Sequence, residues 1–178
     1  IMQIMNPEDY AVVSDGGFFD TEKNSLLGSY LDCYVCDNPK IKFYVLHSKS
    51  MITNPNIFGV SSFVRSAGEL KFCDFNLIQV ASCSKCGFSS NDKEHFKRQK
   101  TSEPTFPVEE FSKGWEEKIA PLLKKAQDIG ETFYWEERDI QQGILSYDLG
   151  IATFEQMAST ASNENLKSAA LRKKASML

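Results

Sequence analysis

Long apolar runs are missing from this sequence of 178 residues, and none approaches the roughly 20 residues that a membrane-spanning helix needs. Residues 1–10 contain Glu8 and Asp9 but neither a basic cluster nor a sustained apolar stretch, so we expect no secretory signal peptide there. We therefore expect a cytoplasmic protein that makes no contact with a membrane.

Familiar catalytic motifs are also missing. The chain has no phosphate-binding loop, no glycine-rich dinucleotide fingerprint, no G-x-S-x-G turn and no H-E-x-x-H helix. Its two histidines, His47 and His95, lie far apart in sequence. We expect each to lie on the surface or to cap a strand or helix rather than to bind a metal. We expect no enzyme, and no small-molecule substrate is evident.

Cysteine is the residue type that the sequence uses distinctively. Four of its five cysteines form two C-x-x-C turns, and each turn can supply two adjacent sulfur ligands to a tetrahedral Zn²⁺. With no secretion signal, metal binding explains these pairs better than a disulfide framework. The predicted ligands of one structural zinc ion are Cys33, Cys36, Cys83 and Cys86.

The residue that follows each turn supports this prediction. Gly87 follows the second turn, and a glycine there can take a positive φ, which lets backbone N–H groups point at the thiolates. Asp37 follows the first turn, and aspartate tolerates the left-handed region better than most residues.

The long separation of the two turns does not exclude a shared ion. The 46 residues between Cys36 and Cys83 exceed the usual 15 to 20. Closing the longer loop costs about 0.8 kcal/mol more, whereas a structural zinc contributes on the order of 10 kcal/mol. Thiol–disulfide redox chemistry and iron–sulfur ligation are the competing interpretations, and Cys73 is expected to be a buried core thiol.

The spacing of apolar residues predicts an α+β fold, with a small antiparallel sheet and zinc ribbon followed by an α-helical hairpin region. We expect strands at residues 41–46, 58–64 and 70–82, the last being the strongest signal, and a short helix capped by Asn91 or Asp92. One helical stripe runs from Phe111 to Ile129, with Pro121 expected to kink or divide it and Gly130 to end it. A second stripe starts at Ile140 and Ile144, and Ser162 is the expected cap of a final helix. Residues 1–103 form the predicted ribbon module and residues 104–178 the helical region, which could still pack as one unit.

Charge is segregated along the chain despite a net charge of only −4. Residues 33–100 carry ten Lys or Arg against five acidic residues, and residues 101–166 carry five against thirteen. The segment after the second turn is basic and has aromatic residues between its charges, which suggests contact with a nucleic acid or a protein partner as an alternative function. The residues that would make that contact are Lys85, Lys93, Lys97, Arg98 and Lys100.

The two turns and the segments after them resemble an uncharacterised bacterial family of unknown function. In that family a C-x-x-C turn is followed by a strand, a long insert, an aromatic-rich strand and a second C-x-x-C-G with an aromatic after the glycine. The matching residues here are the four cysteines, residues 75–80, Gly87, Phe88 and Phe96. The resemblance implies a tetratricopeptide-like helical region downstream, and no mechanism.

The function predicted from these features is a non-enzymatic zinc-ribbon protein that serves as a protein–protein interaction or adaptor module. Its acidic helices, with Trp115 and Trp135 at their edges, are the expected contact face if these tryptophans do not pack in the core. The basic, helix-prone end of the sequence also suggests a fragment of a longer protein.

Overall fold

The computed structural model describes residues 18–19, 26–46, 51–55, 61–66, 68, 70, 72–98, 102–134 and 138–177. Seven short strands and five α-helices occur in this part of the chain, with two 3₁₀ turns between them. The strands are β1 (Phe18–Phe19), β2 (Leu26–Leu31), β3 (Ile41–Leu46), β4 (Met51–Pro55), β5 (Ser61–Ser66), β6 (Ala81–Ser82) and β7 (Ser89–Ser90). The helices are α1 (Phe75–Ile78), α2 (Val108–Ser112), α3 (Trp115–Ile129), α4 (Ile140–Thr160) and α5 (Glu164–Ala175), and the 3₁₀ turns are Lys93–His95 and Glu131–Tyr134.

All strand pairing in the described residues is antiparallel, and the predicted α+β fold is confirmed. Strands β1, β2 and β3 form one sheet in that order, and β4–β5 and β6–β7 form two separate hairpins. The strand predicted at residues 41–46 is β3, which pairs along its whole length with β2. Of the strand predicted at residues 58–64, residues 61–64 lie in β5, and residues 58–60 lie outside the described residues.

The long strand predicted at residues 70–82 is wrong. This segment instead contains the one-turn helix α1, followed by the two-residue strand β6. Asp74 caps α1 because its side chain accepts a hydrogen bond from the Asn76 amide at 3.1 Å. The chain then bends, which buries Ile78 and Val80 in the interior just before the second cysteine turn.

The first helical stripe is divided, but at a different residue from the one predicted. Gly114 separates α2 from α3 because it adopts φ +71°, which no right-handed helix accommodates. Helix α3 continues through Pro121, so this proline does not divide the helix, and the alternative that it kinks the helix stays a prediction. The predicted end at Gly130 is confirmed, since this residue terminates α3 with φ +85°.

Helix α4 matches the second predicted stripe, although its buried face is displaced at the start. Ile140 and Ile144, which the stripe places in the core, are 66% and 51% exposed. Asp139 begins the helix with a capping box that involves Gln142, which the apolar pattern alone does not reveal. A face of small residues is buried instead, comprising Gly143, Ser146, Gly150 and Thr153.

Helix α4 occupies a central position because α3, α5 and the strands β6 and β7, which flank the second cysteine turn, pack on it. A Cβ on Gly143 would lie 2.7 Å from Leu77 Cδ2, and one on Gly150 would lie 2.8 Å from Met177 Sδ, so both glycines permit close approach. The final helix α5 is capped by Asn163 rather than by Ser162, since the Asn163 side chain accepts from the Leu166 amide.

One large hydrophobic cluster contains residues from both sides of the predicted domain boundary at residue 103. Leu31, Phe43 and Phe88 from the N-terminal side belong to it together with Phe111 and Phe154 from the helical side. The boundary itself stays a prediction. None of the helices in the described part of the chain is long and apolar enough to cross a membrane.

Candidate metal centre

The four predicted ligands come together at one point. One sulfur atom from each of Cys33, Cys36, Cys83 and Cys86 lies within 4.8 Å of the other three. Cys33 and Cys83 are buried, whereas Cys36 and Cys86 are partly buried. Among the described residues, this is the one group of three or more Cys, His, Asp or Glu side chains that has the spacing of a metal site.

The two turns have the same backbone hydrogen bonds although 46 residues separate them. In the first turn the Cys33 amide donates to Asn38 O at 2.9 Å, and the Asp37 amide donates to Cys33 O at 3.0 Å. In the second turn the Cys83 amide donates to Phe88 O at 2.8 Å, and the Gly87 amide donates to Cys83 O at 2.9 Å. The chain therefore builds the same structural unit twice.

Both turns end in a left-handed residue, as the sequence predicts. Asp37 has φ +52° and Gly87 has φ +71°. This conformation reverses the chain after the second cysteine, so that both sulfurs of a pair face the same side. Asn38 adds a side-chain contact between the turns, because its Nδ2 lies 3.5 Å from Cys83 Sγ and 3.4 Å from Ser84 Oγ.

The sulfur separations fit a tetrahedral metal ion. Metal–sulfur bonds of about 2.3 Å in a tetrahedron require sulfur–sulfur distances of about 3.8 Å. Cys33 Sγ lies 3.6 Å from Cys86 Sγ, and Cys36 Sγ lies 3.6 Å from Cys83 Sγ. Both of these short separations join one turn to the other, so the two turns share a single centre.

The protonation of the thiols reflects this crowding. Hydrogen bonds with Cys33 and Cys86 lower the pKa of Cys83. The pKa of Cys33 is raised, chiefly by its hydrogen bond with Cys83, and the pKa of Cys86 is raised, chiefly by its hydrogen bond with Cys33. Burial raises the pKa of Cys36. Adjacent thiolates repel one another, so all four sulfurs can be ionised together only when a cation neutralises them.

Helix α3 lies against the second cysteine turn and satisfies its free carbonyls. Trp115 Nε1 donates to Cys86 O at 2.8 Å, and Gln127 Nε2 donates to Ser84 O at 3.2 Å. Trp115 is only 2% exposed, so it packs in the core, while Trp135 lies outside the described residues. The four-cysteine cluster is thereby attached directly to the helical region.

Helix α4 binds two neighbouring elements through buried polar side chains, which contact strand β7 and the end of α2. Thr153 Oγ1 accepts from the Ser89 amide at 3.1 Å and donates to Leu149 O at 3.0 Å. Gln156 Nε2 donates to Phe111 O at 3.0 Å and to Lys113 O at 3.1 Å, which satisfies carbonyls at the end of α2. Neither residue is predicted from the sequence. Their signal in the sequence is a polar residue directly before each of the apolar residues Phe154 and Met157.

A matched pair of glycines tests the packing of α3 on the second turn. Gly87 and Gly114 have the same φ of +71°, but a Cβ on Gly87 would lie 2.9 Å from Ile119 Cγ1, whereas a Cβ on Gly114 would meet nothing within 4 Å. Backbone strain should lower the free energy of unfolding by about 1 kcal/mol in both alanine variants. The clash should add about 1 to 2 kcal/mol in Gly87→Ala alone. Equal losses in urea unfolding of the two variants would contradict the observed packing.

A buried arginine next to this region is likewise not predicted from the sequence. Arg138 is 7% exposed, and its guanidinium donates to Phe133 O at 2.6 Å, to Val80 O at 2.9 Å and to Leu77 O at 3.4 Å. It also lies 4.9 Å from the centroid of the Phe133 ring. Burial lowers its pKa to about 10, which leaves it charged at neutral pH. Arg138 thus fixes the bend that leads into β6 and Cys83.

The remaining chemically distinctive residues lie away from the four sulfurs. Cys73 is half-buried and packs against a small cluster of Leu26, Tyr44 and Ile78, rather than being fully buried as predicted. His95 is the last residue of the 3₁₀ turn that Asp92 caps, Asp92 being one of the two predicted caps, and its Nδ1 lies 2.8 Å from Ser90 Oγ. His47 lies outside the described residues.

The basic residues predicted for nucleic-acid or partner contact have different environments. Lys97 Nζ lies 3.6 Å from Asp37 Oδ1, and Arg98 pairs with Glu94. Lys85 is exposed with Nζ 3.5 Å from Cys36 O, and Lys93 is also exposed. Lys100 lies outside the described residues, and nucleic-acid binding by this segment stays a prediction.

A family model described as an uncharacterized protein conserved in bacteria (DUF2225) matches residues 30–178. The matched region begins just before Cys33 and contains both cysteine turns and all five helices. No curated protein and no solved structure shows a significant match to the chain.

Proposed function

The chain belongs to the bacterial family DUF2225, and we propose that it is a non-enzymatic zinc-ribbon protein that acts as a protein–protein interaction or adaptor module. Cys33, Cys36, Cys83 and Cys86 hold one structural Zn²⁺ in this proposal. The observation that carries it is the convergence of four sulfurs within 4.8 Å from two turns of identical hydrogen bonding.

Zinc is the metal that best suits this donor set. A tetrahedral set of four thiolates is typical of zinc or of iron–sulfur centres, and separations of 3.6 Å suit a single ion at the centre. Four sulfurs complete the tetrahedral shell of Zn²⁺, so the ion has a structural rather than a catalytic role. Because the site lies between the strands and α3, the ion would hold these elements together.

A thiol–disulfide redox function has less support than metal binding. A redox C-x-x-C would exchange electrons between the two cysteines of one turn. Here the two sulfur–sulfur separations of 3.6 Å join different turns, Cys33 with Cys86 and Cys36 with Cys83, and all four sulfurs lie within 4.8 Å of one another. This interleaved arrangement favours coordination of one ion by all four residues.

The exposed start of α4 supports a protein partner. Ile140 and Ile144 lie one turn apart on the same side of the helix and are 66% and 51% exposed. Two large aliphatic side chains on one exposed helical face are a typical contact for another protein. We propose that this face, within a tetratricopeptide-like helical region, contacts the partner in the cytoplasm.

Introducing charge on this face tests the proposal. The double variant Ile140→Glu/Ile144→Glu should keep the zinc content and thermal stability of the wild type, because both side chains are already exposed. It should capture at least about tenfold less of any partner retained by the wild-type chain from a bacterial lysate.

The control for this experiment is Leu171→Glu, which adds charge at an exposed leucine of α5. This variant should retain the partner at the wild-type level. Loss of the partner in the control to the same extent, or retention in the double variant, would exclude the Ile140/Ile144 face as the contact.

A further inference from the structure

A cavity of about 530 Å³ lies between the 3₁₀ turn Lys93–His95 and helices α4 and α5, away from the four cysteines. Its volume is within the range of roughly 300 to 1,000 Å³ that small-molecule sites occupy. Apolar side chains form most of its wall, including Phe106, Phe154, Met157, Leu166 and Ala169. A few polar groups converge on it, which is the usual composition of a binding site for a small organic molecule.

His95 presents a hydrogen-bond donor at this wall. Ser90 Oγ already accepts from the Asp92 amide at 2.9 Å, so its own hydrogen is available to His95 Nδ1, which lies 2.8 Å away. In the tautomer in which Ser90 donates to Nδ1, the proton of the neutral imidazole is on Nε2, for which the described residues provide no hydrogen-bond partner. Burial lowers the pKa of His95, which keeps the ring neutral at pH 7.

The His95 ring is held in place by aromatic neighbours. Its centroid lies 6.4 Å from that of Phe106 and 5.6 Å from that of Phe154, both in edge-to-face geometry. Both phenylalanines line the same cavity. A flat aromatic ring would therefore find edge and face contacts of the kind that aromatic groups prefer.

The charges at the cavity favour an anion. Its charged lining residues among those described are Arg172, Lys173 and Asp92, which gives one positive charge in excess. Lys173 Nζ lies 3.3 Å from Asp92 Oδ2, so these two charges compensate each other. The Arg172 guanidinium has no acidic partner in the described part of the chain, and guanidinium suits a carboxylate.

We propose that this cavity binds a small aromatic carboxylate. The ring system lies among Phe106, Phe154 and Met157, and the carboxylate accepts hydrogen bonds from Arg172 and from His95 Nε2–H. This site is independent of the metal centre and of the Ile140/Ile144 face, and it extends the proposed function by a small-molecule ligand.

Calorimetric titration of the full chain with 2-naphthoate tests the proposal. We expect saturable binding with a dissociation constant below about 1 mM, and at least about tenfold weaker binding of 2-naphthamide, which has the same ring without the charge. No saturable binding of 2-naphthoate, or equal binding of the amide, would overturn the proposal.

Three variants locate the ligand. Arg172→Gln should weaken 2-naphthoate binding about tenfold, whereas Lys167→Gln, which removes a positive charge from the same helix outside the cavity lining, should change it less than about twofold. Ala169→Phe should abolish binding because it fills the cavity from an exposed position, which leaves the fold intact. Equal effects of the two charge variants, or wild-type binding by Ala169→Phe, would show that the ligand lies elsewhere.

Discussion

The variant Cys83→Ser is expected to lose on the order of 5 kcal/mol of its free energy of unfolding, because it removes one of the four proposed zinc ligands. Cys83 is fully buried, and its turn receives hydrogen bonds from α3 as well as from the first cysteine turn. Loss of the ion would leave three cysteines within 4.8 Å of one another, where their thiolates repel and cannot all be ionised. Urea unfolding followed by circular dichroism measures the loss.

The control for this experiment is Cys73→Ser, since Cys73 is half-buried and is not among the four clustered cysteines. This variant should lose only about 1 kcal/mol, as is usual for a single substitution outside a special site. A strong chelator should destabilise the wild type and Cys73→Ser but leave Cys83→Ser unchanged. Similar losses of unfolding free energy in the two variants, or a wild-type unfolding curve that the chelator does not change, would contradict a structural metal.

The second large effect is expected from Arg138→Met, which should lower the free energy of unfolding by about 3 kcal/mol. The substitution leaves Phe133 O and Val80 O without the donor that now lies within 3 Å of each, and methionine offers none in return. An unsatisfied buried carbonyl is more costly than the lost hydrogen bond itself. The free energy of unfolding of Arg138→Lys should fall between those of the wild type and Arg138→Met, since one ammonium group cannot reproduce the planar guanidinium fork.

Two measurements separate this effect from loss of the metal. The folded fraction of Arg138→Met should keep the wild-type metal content, because Arg138 contributes no ligand. Arg172→Met, in which an exposed arginine is replaced, should change stability by less than about 0.5 kcal/mol. A loss in Arg138→Met no larger than that of Arg172→Met would show that the three carbonyl contacts contribute little.

The four cysteines could be identified from the sequence because their signal is local. A C-x-x-C turn followed by Gly87 or Asp37 specifies its own backbone conformation, and the φ values of +71° and +52° follow from those residue types. The strand at residues 41–46 was predictable for a similar reason, since its β-branched and aromatic content matches its pairing with β2.

The errors occurred where distant residues determine the local structure. Residues 75–78 have the composition of a strand, yet Asp74 caps a helical turn there and Arg138, about 60 residues later, binds the Leu77 and Val80 carbonyls. The buried face of α4 was likewise decided by the close approach of Leu77 to Gly143. Hydrophobic periodicity alone placed Ile140 and Ile144 in the core, although both are exposed.

Elemental analysis of the protein, purified without a metal-affinity step, tests the central claim most directly. The four-cysteine centre predicts one zinc ion per wild-type chain and a substantial loss of zinc from Cys83→Ser. A wild-type chain that contains no stoichiometric zinc, with Cys33, Cys36, Cys83 and Cys86 titrating as free thiols or joined in disulfides, would contradict the account.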